Sequence, residues 1–135
     1  MSNRARIHVA VGVIVNAAQE VLIAHRAQHL HQGGLWEFPG GKVETNEGVE
    51  QALKRELLEE LNITVQNCAP LLEIAHDYGD KSVLLDVWLV REFSGKPQGL
   101  QGQPLQWVKP SELFGLEFPA ANAPIVEAVS KLFES

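Results

Sequence analysis

Glu47-Gly48-Val49-Glu50-Gln51-Ala52-Leu53-Lys54-Arg55-Glu56-Leu57-Leu58-Glu59-Glu60-Leu61-Asn62 is the stretch from which the fold is read. Val49, Leu53, Leu57 and Leu61 recur every four residues with small Ala52 beside them. This predicts a helix over 47–61 whose apolar positions span a sector of ~120° at ~100° per residue. Asn62 follows the last apolar position and suits a left-handed helix cap. Glu60 falls inside the apolar sector, Glu56 beside it and Glu59 a little further round, so three carboxylates are expected to converge on one flank. Ionised carboxylates near a buried face cost several kcal/mol unless paired, and they raise one another's pKa values. A divalent cation relieves both problems. Magnesium accepts carboxylate, carbonyl and water oxygens, and the carbonyl of Gly40 or Gly41 lies close in sequence. The plainer alternative is a solvated acidic flank paired with Lys54 and with Arg55, which stands four residues before Glu59.

On the N-terminal side, Ile7, Val9, Val11, Val13 and Val15 alternate through a β-branched run, predicting a strand over 6–15 with one strongly buried face. A second strand is expected over 20–26. The short polar link Asn16-Ala17-Ala18-Gln19 suggests that the two pair antiparallel as a hairpin. His29 to Gly34 reads as loop and Trp36-Glu37-Phe38 as a brief extended piece, while Pro39-Gly40-Gly41 should break regular structure. Beyond the helix, 71–76 and 82–93 flank Asp77-Tyr78-Gly79-Asp80-Lys81, a second hairpin. Residues 94–103 form a glycine-containing loop, 105–108 a short strand and 123–133 a helix. The expected architecture is one α/β (α+β) domain over residues 1–135, an α/β/α sandwich with a mixed, largely antiparallel sheet flanked by helices.

Composition narrows the function. Of 135 residues, seventeen are acidic and eleven basic, for a net charge of −6. That balance disfavours stable binding to nucleic acid or anionic membrane, and a polyphosphate ligand would need a recruited cation. No apolar run reaches the roughly 18 residues of a membrane span, and the first ten residues lack a signal-peptide pattern, so a cytosolic location is expected. Cys68 is the single cysteine, which rules out an internal disulfide and paired-thiol zinc sites. No Walker A loop, G-x-S-x-G elbow or H-E-x-x-H helix is present, leaving metal-assisted hydrolysis.

Gly41, five residues, Glu47, seven residues, then Arg55-Glu56-Leu57-Leu58-Glu59-Glu60-Leu61-Asn62-Ile63 closely resembles the Nudix box, G-x5-E-x7-R-E-U-x-E-E-x-G-U, across residues 41–63. Asn62 replaces the usual glycine, but asparagine also tolerates the left-handed cap. The resemblance runs nearly end to end and points to the MutT branch, the oxidised-guanine nucleotide diphosphatases. It is carried by Val9-Ala10-Val11-Gly12-Val13-Ile14, Glu37-Phe38-Pro39-Gly40-Gly41-Lys42, Gly102-Gln103-Pro104 with Trp107, and Phe118-Pro119-Ala120-Ala121-Asn122.

The resemblance implies a magnesium-dependent enzyme, with manganese as a substitute, that hydrolyses 8-oxo-dGTP to 8-oxo-dGMP and pyrophosphate and so protects replication from oxidised nucleotides. By matching position, Glu56, Glu59, Glu60 and the Gly40 carbonyl would hold metal, and Arg55 would orient the glutamates. Glu47 would brace loop and helix. Where the branch carries a loop glutamate as a candidate base, this sequence has Gln101, so Glu56 is the expected proton acceptor or water orienter.

Asn122 has the donor and acceptor needed for the O6 and N7 edge of 8-oxoguanine, and the resemblance places it there; capping the helix at 123 is the competing role. Arg26, His31 and Lys81 match ligand-contacting positions, the last through its backbone. Glu37, Phe38, Pro39 and Gly40 are expected against the substrate, Phe38 doubling as core. His8, His25 and His76 are left without assigned chemistry. The expected partner is a small nucleotide, acted on by a monomer. The rival readings are a Nudix pyrophosphohydrolase for another nucleotide such as CTP or dCTP, and a non-catalytic module that recognises damaged bases.

Overall fold

The computed structural model describes residues 6–26 and 34–133. Its elements are β1 (Arg6–Ile14), β2 (Val21–His25), β3 (Trp36–Glu37), β4 (Gly40–Lys42), α1 (Val49–Leu61), β5 (Thr64–Asp77), β6 (Ser82–Ser94), β7 (Leu105–Val108) and α2 (Ala123–Leu132). Two 3₁₀ turns, Pro110–Gly115 and Ala120–Asn122, precede α2. The strands form a four-stranded sheet in the order β4-β1-β6-β5 and a three-stranded sheet in the order β3-β2-β7. Among these pairings only β1 with β6 is parallel, so the α/β class with largely antiparallel pairing holds.

β1 is the axis of the molecule. Its odd residues Val11 and Val13, with Val15 just beyond, enter one core cluster with Val21, Ile23, Val87 and the α2 residues Ile125, Val126 and Val129. Its even residues Ala10 and Ile14 enter another with Ala52, Leu53, Leu57 and Leu61 of α1. The strand is therefore buried on both faces rather than one, as a strand between two helical layers must be. Gly12 faces α1, where a Cβ would lie 3.3 Å from Cδ1 of both Leu53 and Leu57.

One pairing expected from sequence is corrected. β1 and β2 do not pair as a hairpin: Asn16 closes the turn, its Oδ1 accepting from the amides of Ala18 at 3.0 Å and Glu20 at 2.9 Å, but the strands share only the bridge Val15↔Val21. Both edges of β1 are taken, one by β6 along its whole length and the other by β4 and its flanks, which leaves β2 to build the second sheet. The break expected at Pro39-Gly40-Gly41 ends β3 at Glu37, and the chain resumes in the other sheet as β4, where Gly40 pairs with Val11 and Gly41 with Ala10. Glycine makes this approach possible, because a Cβ on Gly40 would run into the carbonyl oxygen of Ala10.

α1 begins at Val49 rather than Glu47, and Asn62 ends it at φ 59°, ψ 36°, its amide donating to the Leu58 carbonyl. The buried carboxylate of Asp86 is satisfied by the Trp88 indole N–H at 2.9 Å and by His8 Nε2 at 3.0 Å, which gives His8 a structural place. Among the described residues no helix is long and apolar enough to cross a membrane.

Candidate active site

Arg55, nearly two turns before the end of α1, organises the acidic face. Its Nε and one terminal nitrogen donate to the two carboxylate oxygens of Glu47, at 2.7 and 3.0 Å, a fork that fixes the guanidinium plane. That same terminal nitrogen reaches the Lys42 carbonyl at 3.1 Å, while the other donates to Glu56 at 2.8 Å and to Glu59 at 3.4 Å. Glu47 in turn accepts the Glu44 amide at 3.0 Å. Hydrogen bonding to Arg55 holds the Glu47 carboxyl down at about 2, and the same bonds raise the guanidinium above its ordinary value. Glu47 thus ties the loop before α1 to the helix, as expected. Lys54 pairs with Glu50 at 3.2 Å and takes no part.

The expected convergence of three carboxylates is reduced to two. Glu60 Oε2 is buried without a hydrogen-bond partner. Its carboxyl is pushed up to about 8, first by burial and then by the charges of Glu56 and Glu37. Glu59 is exposed and shares with Glu56 the same Arg55 nitrogen, at 3.4 Å. The reason lies in helix geometry: Glu56 and Glu60 are one turn apart on one face, whereas Glu59 lies ~100° around from Glu60. Among the described residues no three acidic, histidine or cysteine side chains are gathered closely enough to enclose an ion. The residues present nonetheless fit a cation that keeps open positions. An orphaned buried carboxylate oxygen lies in a group that feels the Glu56 charge, and Gly41 faces Glu56 so closely that a Cβ there would overlap its carboxyl. Magnesium is commonly held by one or two carboxylates, with waters and substrate phosphates completing its shell.

The acidic pair opens into a two-lobed cleft. The first lobe, a cavity of about 260 Å³, is lined by Glu60, Pro39, Gln101 and Gln103 among others. The second, of about 290 Å³, is lined by Phe38, Asn122, Tyr78 and the floor residues Val9, Val11 and Leu85. Arg26, Glu37 and Gly40 line both lobes and form the waist. There Arg26 approaches Glu37 at 3.4 Å, and burial raises the Glu37 carboxyl against the opposing pull of that arginine.

The loop 98–103 is seated on the C-terminal carbonyls of α1. Leu100 N–H donates to the Glu60 carbonyl at 3.0 Å, Gln98 N–H to that of Leu61 at 2.9 Å, and Gln103 Nε2 to that of Glu60 at 3.3 Å. Gln103 Oε1 accepts the Gln101 amide at 2.9 Å. These bonds satisfy acceptors that every helix end leaves open, and they place Gln101 in the first lobe.

Of the residues expected from sequence, Arg26, Glu37, Pro39, Gly40 and Glu60 meet in the first lobe, and Arg26, Glu37, Phe38, Gly40 and Asn122 in the second. Asn122 makes no side-chain cap bond to α2, so the capping role does not consume its amide. Phe38 is buried and stacks on Phe118 with centroids 5.1 Å apart, serving core and cleft together. Lys81 is absent from the linings of both lobes; its carbonyl accepts the Tyr78 amide at 2.9 Å within the β5–β6 hairpin, and Tyr78 lines the second lobe. His31 lies outside the described residues. Tyr78 and Gln103 also line the cleft; the glutamine before Pro104 was a visible signal, whereas nothing local in the sequence marks Tyr78 as a wall residue.

A family model of the NUDIX domain matches residues 10–128. The 8-oxo-dGTP diphosphatase of Escherichia coli K12 is 38% identical over 127 residues, covering 94% of this chain and 98% of that protein. The CTP pyrophosphohydrolase of the same organism is 35% identical over 122 residues, covering 90% of each. A solved MutT structure, from a study of the Aliivibrio salmonicida and Vibrio cholerae proteins, superposes with a TM-score of 0.87 at 43% identity, covering 96% of this chain and 100% of that one. With its helix carboxylates, glycine turn and two-lobed cleft inside a match that runs from β1 into α2, this chain belongs to the NUDIX domain family.

Proposed function

We propose that the protein is a magnesium-dependent nucleoside triphosphate pyrophosphohydrolase that converts 8-oxo-dGTP to 8-oxo-dGMP and pyrophosphate. The observation that carries this reading is the single cleft in which the buried, unpartnered carboxylate oxygen of Glu60 lies in one lobe and the uncommitted cap position of Asn122 in the other. A triphosphate extends from the waist toward Glu60, and a base occupies the lobe of Phe38 and Asn122.

Within this reading Glu56, Glu60 and the Gly40 carbonyl hold magnesium, with Glu59 at the solvent edge, and manganese serves in its place. Bound there, the ion supplies neutralisation of phosphate charge and a lowered pKa for water. Arg55 fixes the Glu56 carboxylate through the bond to its Oε1, and Glu56 accepts the water proton. Gln101 contributes hydrogen bonding rather than a base, since a carboxamide does not take up a proton at neutral pH. Arg26 binds at the waist, where it offsets both the Glu37 carboxylate and the substrate's negative charge. Asn122 donates to O6 and accepts from N7–H of the oxidised base, a pairing that guanine with an unprotonated N7 does not offer. The protein works as a monomer on free nucleotides in the cytosol, where it removes an oxidised precursor before replication.

A second reading is a pyrophosphohydrolase for cytidine nucleotides, favoured by the 35% identity to the CTP enzyme. Pyrophosphate release from 8-oxo-dGTP, dGTP, CTP and dCTP, each with and without magnesium, separates the two. The primary reading expects the highest kcat/KM for 8-oxo-dGTP and none without the cation; a preference for cytidine nucleotides rejects it.

A further inference from the structure

The turn between β5 and β6 is held by two hydrogen bonds, from Gly79 N–H to Asp77 Oδ1 at 2.8 Å and from Tyr78 N–H to the Lys81 carbonyl at 2.9 Å. Gly79, at φ +97°, supplies the backbone conformation that this reversal requires. With its backbone pinned, the Tyr78 ring meets the His76 ring edge-on, centroids 4.4 Å apart at 67°. Tyr78 therefore enters the wall of the second lobe from a rigid hairpin.

Phe38 reaches the same lobe from a segment distant in sequence, and it too is backed by another ring, that of Phe118. Away from Arg26, Glu37 and Lys42, the charged residues that also line it, the lobe combines two buttressed aromatic rings, an aliphatic floor and one carboxamide, Asn122. Phosphate oxygens gain nothing from such walls, and a purely aliphatic ligand leaves the carboxamide unpaired. A planar heteroaromatic ring uses all of them.

We propose that Tyr78 is a specificity-determining residue whose ring contacts the nucleobase, with His76 as its positioning residue. This rests on the reading of the cleft as a nucleoside triphosphate site.

The test is isothermal titration of the full chain, in magnesium, with 8-oxo-dGMP and separately with inorganic pyrophosphate. Tyr78→Ala is expected to weaken 8-oxo-dGMP about 5- to 150-fold, the range for losing one aromatic contact to a base, and to leave pyrophosphate unchanged. Tyr78→Phe, which keeps the ring, is expected to bind 8-oxo-dGMP as the parent does. His76→Ala should weaken 8-oxo-dGMP by less than Tyr78→Ala, and His76→Phe should restore it, with pyrophosphate again unmoved. In steady state the Tyr78→Ala loss should fall on KM rather than kcat. Unchanged 8-oxo-dGMP affinity in Tyr78→Ala, or an equal loss for pyrophosphate, overturns the assignment. If the parent binds 8-oxo-dGMP no more tightly than pyrophosphate, the nucleotide reading itself fails and takes this inference with it.

Discussion

Replacing Glu60 by glutamine removes a charge from the most strained electrostatic position in the site. The Glu60 carboxyl ordinarily titrates at 4.5, and in the fold it is pushed up to about 8 by burial and by Glu56 and Glu37. In the cation-free protein its contribution to stability is complete below the unfolded value and is lost progressively as pH rises through 8. At pH 7 the folded state still holds a proton that the unfolded state has released, a difference of up to about 3.5 kcal/mol at about 1.4 kcal/mol per pH unit. Glu60→Gln does not titrate, so relative to the parent it should gain up to that amount between pH 4.5 and 7. Urea denaturation in EDTA across this range measures the change directly. Saturating magnesium should close most of the pH 7 gap: binding at 100 times Kd stabilises the parent by about 2.7 kcal/mol, while the variant gains little. Turnover of 8-oxo-dGTP should fall by more than about 100-fold, the upper end for merely losing a ligand's supporting partner. A stability difference that stays flat with pH, together with equal magnesium stabilisation and preserved turnover, refutes the role given to Glu60.

Three further outcomes follow from other parts of the site. Gly41→Ala places a methyl group against the Glu56 carboxylate, the movable end of a flexible side chain, so the melting temperature should change little while kcat falls; equal loss of both contradicts the packing argument. Glu47 is held at about 2 by Arg55, so Glu47→Gln should destabilise the protein at pH 7, and the gap from the parent should close as pH falls from 4.5 toward 2; a constant gap in pH-dependent denaturation removes the fork from the stability account. Asn122→Ala should lower kcat/KM for 8-oxo-dGTP about 5- to 150-fold by leaving base polar groups unpaired, and should cost CTP far less; equal losses in a substrate panel place the asparagine outside base recognition.

The helix and its chemistry were the most legible parts of the sequence, because local spacing encodes them. Four apolar residues every fourth position set the buried face of α1, and Asn62 adopts the left-handed cap that its side chain permits. The β5–β6 hairpin was legible for the same reason, its glycine turn lying between two extended runs. Pairings made at a distance were not. Nothing in the short polar link after β1 reveals that β6 and β4 already occupy both its edges, so the hairpin with β2 was the natural local inference. β4 was hidden because its glycines normally signal a break, and only the closeness of Ala10 shows why glycine is required. In the site, spacing put Glu60 on the buried flank, but the sharing of one Arg55 nitrogen between Glu56 and Glu59 depends on the reach of that side chain. Tyr78 was out of reach because the direction of a hairpin relative to a cleft is a tertiary property.

The seat of the 98–103 loop on α1 has an evolutionary consequence. Its anchors at Leu100 and Gln98 join main chain to main chain, so they are indifferent to which side chains those positions carry. Residue 101 can therefore be exchanged freely while the strip of backbone beside Glu60 stays moored. Such a design lets a lineage retune how fast it destroys a nucleotide by editing the wall beside the phosphates while the carboxylate helix remains untouched.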